Sequence, residues 1–128
     1  MPATWRELTA AEKRIIERLV RNASQGEIPP AWDVEQYRAA EIDTFGSLQL
    51  KPRDKADSAA DMPIHPVASA YFDDKELADP YGPLVDILLF QSEGLLRELQ
   101  IYRSDGGAIL REIDADAMFL VTAHEAHG

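Results

Sequence analysis

A single amphipathic helix constrains what this chain can fold into, because its apolar stripe has no second helix to pack against. Thr9, Ala10, Ala11 and Glu12 fit a capping box, in which the threonine hydroxyl accepts from the Glu12 amide and Glu12 reaches back. Leu8, Ile15, Ile16, Leu19 and Val20 then recur at helical spacing, with Lys13, Arg14, Arg18 and Arg21 largely outside the stripe. Residues 22–26 end the helix, and Pro29-Pro30 blocks its continuation. The rest of the chain reads as strands. The economical solution is an α+β sandwich: an antiparallel sheet of meander type with the N-terminal helix packed on one face.

The strand signals are clearest in the second half. Residues 67–72 are strand-like. Residues 84–91 form the strongest strand, apolar on nearly both faces and therefore expected inside the sheet. Ser92-Glu93-Gly94 reads as a hairpin loop, with glycine available for positive φ. Residues 95–103 follow, with Leu95, Leu99 and Ile101 expected on one face and Glu98, Gln100 and Tyr102 on the other. Ser104-Asp105-Gly106-Gly107 turns, residues 108–113 read as a shorter strand, and residues 117–121 close the sheet or pack as a last apolar segment. Earlier in the chain, residues 34–42 fit a short helix or an irregular strand, and strand is favoured. Phe45, Leu48 and Leu50 around Gly46 read as a turn into a strand. Residues 51–66 read as a long loop, and residues 123–128 as a frayed tail. The 128 residues fit one domain.

Charge is unevenly distributed. Residues 1–64 hold 9 Lys and Arg against 11 Asp and Glu, whereas residues 65–128 hold 4 against 12. The more acidic half is the half richest in strands, so one side of the sheet is expected to present a negative field. Such a field repels nucleic acid and attracts basic partners. With no cysteine, the chain has neither disulfides nor thiolate metal sites, which fits a reducing cytoplasm. The opening residues contain no apolar run of the secretory type, and residues 84–90 are too short to span a bilayer, which takes about 20 residues. A cytoplasmic protein with no membrane partner is expected.

No catalytic, metal or cofactor constellation stands out. His124 and His127 are spaced i, i+3 rather than the i, i+4 of a zinc-binding helix, in a terminal segment read as frayed. His65, between Pro63 and Pro66, has no adjacent partner that would make it a base. Counting from Asp73, positions 6 and 12 are Ala78 and Leu84, so the calcium-loop pattern fails. Asp105-Gly106-Gly107 lacks the lysine of a phosphate loop, and a turn accounts for it. Trp5 and Trp32 read as core or edge packing. The densest acidic group is Asp73, Asp74, Glu76 and Asp79, with Tyr71, Phe72, Tyr81 and Tyr102 in or beside it. It reads either as a solvated loop or as a surface for a basic protein, since tyrosine is common both at binding hot spots and on sheets.

The run from Gly82 to Phe90 and the run from Gly94 to Gly106, with the Trp5-Arg6-Glu7-Leu8-Thr9 opening and the Phe45-Gly46-Ser47-Leu48 turn, resemble a group of small uncharacterised bacterial α+β proteins. Small acidic proteins of this kind are similar in class to the immunity proteins of contact-dependent and polymorphic toxin systems. The class resemblance implies a protein that binds and neutralises a cognate toxin, a basic nuclease in the leading case. Asp73, Asp74, Glu76 and Asp79 would then oppose toxin Lys and Arg, with Tyr81 and Tyr102 supplying contact area. The alternatives are a non-enzymatic adaptor or regulatory module and, third, a small hydrolase using carboxylates near Asp86 and Asp105.

Overall fold

The computed structural model describes residues 4–54, 63–77 and 81–124. Seven strands form one sheet with every pairing antiparallel: β1 (Arg6–Glu7), β2 (Tyr37–Glu41), β3 (Leu48–Pro52), β4 (His65–Phe72), β5 (Val85–Ser92), β6 (Leu95–Arg103) and β7 (Phe119–Ala123), in the spatial order β1-β2-β3-β6-β5-β4-β7. The helix α1 (Ala10–Ala23) packs on the sheet over β4 and β7. The α+β class and the helix position follow the sequence reading. The meander is in fact two meanders, β1–β3 and β4–β6, joined where β3 meets β6.

Local chemistry explains α1. Glu12 donates its amide to Thr9 Oγ1 at 3.1 Å, and the Thr9 amide reaches Glu12 Oε1 at 2.8 Å, so both halves of the capping box form. Arg6 clamps the same carboxylate with two bonds of 2.9 Å. Burial pushes the Glu12 carboxyl up, but the Arg6 and Thr9 hydrogen bonds prevail and hold it below the usual carboxylate range. All five stripe residues, Leu8, Ile15, Ile16, Leu19 and Val20, are buried. Each such side chain contributes about 1.5–3 kcal/mol on leaving water, far more than the cap. The helix ends at Ala23, and beyond its cap Gln25 takes a left-handed φ of 59°, which turns the Gly26 amide back to the Arg21 carbonyl at 2.7 Å.

The two meanders are joined by few backbone rungs and several side chains. Between β3 and β6 the register runs only through Leu48↔Leu99 and Gln49↔Glu98. Beyond it, the buried Ser47 hydroxyl replaces a rung: it donates to the Ile101 carbonyl at 3.0 Å and accepts from the Ile101 amide at 2.9 Å. Tyr37, 1 % exposed, reaches β6 from β2 with a single bond. Its hydroxyl donates to the Ala31 carbonyl and accepts from the Leu96 amide at 3.0 Å. Trp32 lies partly buried against the core, and its indole N–H reaches the Gly94 carbonyl at 3.1 Å. Trp5 sits at the β1 edge with the Lys51 ammonium 4.5 Å above its ring.

Several expectations are corrected. Residues 34–36 form a turn of 3-10 helix, capped by the Asp33 side chain, before β2 begins. Strand β3 runs to Pro52 and β4 starts at His65, so the connection is shorter at both ends than residues 51–66. On β6 a bulge opposite Phe90 and Gln91 inserts Arg97. One extra residue flips the alternation, so Leu96, Leu99 and Ile101 point into the core, and Leu95 does not share their burial. Residues 108–113 form no strand and pair with none among the described residues; side chains hold the segment instead, Arg103 reaching the Ala108 carbonyl, Asp74 the Leu110 amide and Arg111 the Asp73 carbonyl. The tail is anchored further than expected. Ala123 pairs with Ala68, the His124 amide reaches the Val67 carbonyl at 2.9 Å, and its Nε2 lies 2.8 Å from Ser69 Oγ. Residues 125–128 lie outside the described residues.

Among the described residues, no helix is long and apolar enough to cross a membrane.

Candidate functional site

Strands β4, β5 and β6 have two very different faces. Towards α1, Ala68, Ala70, Phe72, Val85, Ile87, Leu89, Leu99 and Ile101 are buried. On the other face the register sets side chains in rows. Phe119, Tyr71, Asp86 and Tyr102 are successive partners across β7, β4, β5 and β6. The next row is Ser69, Leu88 and Gln100, and the third is Pro66, Phe90 and Glu98. Among the described residues, no element covers them. Tyr71, Leu88, Phe90 and Phe119 are half-buried among their neighbours, while Tyr102 keeps 43 % of its surface in water. The Tyr71 and Phe119 rings tilt against each other with centroids 6.1 Å apart.

This open face disfavours charge. Burial pushes the Asp86 carboxyl above its ordinary range. The Tyr102 phenol is pushed up as well, chiefly by burial and then by the nearby Asp86 and Tyr71. A carboxylate held among aromatic rings is poorly hydrated and gains most when a cation arrives. The three rows on β4–β6 contain two carboxylates, Asp86 and Glu98, and neither lysine nor arginine. The rows therefore mix aromatic and aliphatic side chains with polar ones, and their only charges are negative.

The residues expected to form a partner surface are scattered by the fold. Tyr102 lies on the open face. Tyr81 is almost fully exposed at 98 %, and Glu76 is exposed beside Leu77 in the connection after β4. Asp73 is half-buried and already ion-paired, its Oδ1 3.0 Å from Lys75 Nζ. Asp74 is not on the surface at all. It is 1 % exposed, accepts from the Leu110 amide at 2.7 Å, and faces the Arg103 guanidinium at 3.8 Å. Its carboxylate anchors the 108–113 segment and is not available to a partner. Asp79 lies outside the described residues. Sequence reasoning missed Leu88, Phe90 and Phe119 as companions of Tyr71 and Tyr102. Alternation within each strand hinted at them, but only the cross-strand register shows that they form rows.

Asp86 and Asp105, weighed as hydrolytic carboxylates, have different surroundings. Arg103 occupies both oxygens of Asp105 at 2.7 and 2.6 Å, and the Gly107 amide adds a bond at 2.9 Å. The Arg103 bonds hold that carboxyl below its ordinary range. A groove of about 660 Å³ exists on the helix side, between α1 and β7, and neither aspartate lines it. Among the described residues no group of three or more His, Asp and Glu side chains is placed to hold a metal.

Comparison with known proteins gives one match. Residues 5–113 match the model of a domain of unknown function, DUF6984, and no curated protein or solved structure matches. The matched segment takes in α1 and strands β1 to β6 and stops before β7. The chain belongs to the DUF6984 family.

Proposed function

We propose that this DUF6984 protein is a binding module that grips a basic protein through the open face of β4–β6. The observation that carries this reading is the row Phe119–Tyr71–Asp86–Tyr102, an uncovered aromatic strip around a poorly hydrated carboxylate. Buried aromatic anchors supply most of the energy of protein interfaces, and a cation brought to Asp86 relieves its desolvation. Glu98 on the face, and Glu76 and Tyr81 in the connection after β4, would lie towards the rim.

Toxin neutralisation in the cytoplasm is the form of this function that the acidic second half favours. A nuclease that binds a polyanion presents a basic groove, and a negative, aromatic sheet face is suited to cover it. An adaptor using the same face is the second reading. The ion-paired state of Asp105 favours either over hydrolysis.

The test is affinity capture from the source cells with two baits, the wild-type protein and Tyr71→Ala/Tyr102→Ala. A partner with a basic surface should be held by the first and lost from the second, with an on-rate that falls as salt rises. A partner held equally by both baits would remove the open face from the account. A large gene product encoded beside this chain and recovered as that partner would select toxin neutralisation over the adaptor.

A further inference from the structure

The groove on the opposite side has the reverse chemistry. Arg14, Arg18 and Arg21 are spaced i, i+4 and i+7, so they share one face of α1, and all three line the groove. Glu17 joins them from the helix, with Ala115, Asp116 and Val121 forming the other wall. A volume of about 660 Å³ is in the range of small-molecule sites.

Two of these arginines have no carboxylate partner among the described residues, unlike several other cations of the chain. Arg6 is held by Glu12, Lys13 by Glu35, Arg53 by Glu7, Lys75 by Asp73 and Arg103 by Asp105. Arg14 makes no ion pair or hydrogen bond among the described residues. Arg18 gives one N–H to the Ala115 carbonyl and has no carboxylate. Arg21 makes one long i, i+4 ion pair, 4.0 Å to Glu17. In a chain with 23 acidic and 13 basic residues, three guanidinium groups around one groove, two of them without a carboxylate among the described residues, run against the general field.

The far wall is held in a strained conformation. Leu120 has a φ of 51°, the left-handed region that bulky residues avoid. The β4–β7 register shifts there, between Ser69↔Thr122 and Tyr71↔Phe119, so Leu120 and Val121 together oppose one residue of β4. This bulge sets Val121 into the wall of the groove.

We propose that the α1–β7 groove binds a small ligand carrying clustered oxyanions, phosphate or carboxylate, gripped by Arg14, Arg18 and Arg21. Planar guanidinium groups pair with both kinds of oxyanion in two-bond geometry. The oxyanions lie along Arg14, Arg18 and Arg21, with the most negative group nearest Arg14 and Arg18, because the carbonyl end of the α1 dipole lies beyond Arg21. Asn22, Gln25 and the Glu17 and Asp116 carboxylates then meet the uncharged, donor-bearing part. The groove and the open face lie on opposite sides of the sheet, so this proposal stands apart from the partner-binding reading.

Calorimetric titration with inorganic pyrophosphate and, separately, with citrate tests it on the full chain at low salt. Saturable one-to-one binding of either probe is expected, and the preferred probe tells phosphate from carboxylate. Arg14→Ala/Arg21→Ala should weaken it by about tenfold or more, since a hydrogen bond to a charged group contributes about 1.5–3 kcal/mol. Arg14→Lys/Arg21→Lys, which keeps the charge and loses the fork, should fall between. Arg38→Ala, on β2 away from the groove, should bind as the wild type does. No saturable binding of either probe overturns the proposal, as does equal affinity in the wild type and the double alanine variant.

Discussion

Leu88 and Leu89 are neighbours on one strand and do different jobs. Leu89 points towards α1 and is fully buried with Ile87, Leu99 and the helix stripe in one core cluster. Leu88 points the other way, between Ser69 and Gln100, half in water, with no element above it among the described residues. The same backbone thus presents a face that holds the fold together and a face the fold does not use. Single exposed apolar residues are normal on proteins, but Tyr71, Leu88, Phe90, Tyr102 and Phe119 share one face in three successive rows. That difference is the basis for assigning the binding role to the open face.

The pair gives the sharpest stability comparison. Leu89→Ala should cost about 2–5 kcal/mol, the range for truncating a buried leucine, as read by the denaturant midpoint. Leu88→Ala should cost less than about 1 kcal/mol, because a half-exposed site can fill with water. Equal losses would mean that the open face is part of the core.

A smaller effect tests the join between the two meanders. Ser47→Ala leaves the Ile101 amide and carbonyl without their buried partner, and should destabilise by about 1–3 kcal/mol. Thr9→Ala removes the helix cap and should cost about 1 kcal/mol, measured the same way.

The smallest effect is on the open face and depends on pH. The folded state holds the Asp86 proton more tightly than the unfolded chain does. Its contribution is therefore present below the unfolded value and is lost as pH rises through the folded one. Asp86→Asn should match the wild type in strong acid and be the more stable at neutral pH, by no more than about 0.5 kcal/mol. Thermal unfolding at several pH values reads this directly. A variant less stable than the wild type at neutral pH would mean that the carboxylate is already satisfied within the fold.

What could be read from the sequence was what neighbouring residues decide. The Thr9 box, the α1 stripe and the Glu93-Gly94 hairpin, with both φ angles positive, are local and were legible. Features set by distant pairing were not. The Arg97 bulge reverses the β6 alternation, and nothing in residues 95–103 alone signals it. Asp74 sits in an acidic run that reads as solvated, yet residues more than thirty positions later enclose it. The 108–113 segment has strand-like composition, but side chains rather than a neighbouring strand take up its backbone. The candidate site is legible in part: the sequence marks Tyr102 as a contact residue and sets Tyr71 beside the same acidic group. The rows that join them to Leu88, Phe90 and Phe119 depend on registers across four strands.

The central claim is that the open face, and not the helix side, meets the partner. Side-chain NMR of the 13C-labelled protein, with and without the captured partner, tests it most directly. The account predicts that signals of Tyr71, Leu88, Phe90 and Tyr102 shift while those of Ile16, Leu19 and Val121 stay in place. Shifts confined to Val121 and the α1 side chains, with the open-face signals unmoved, would contradict it.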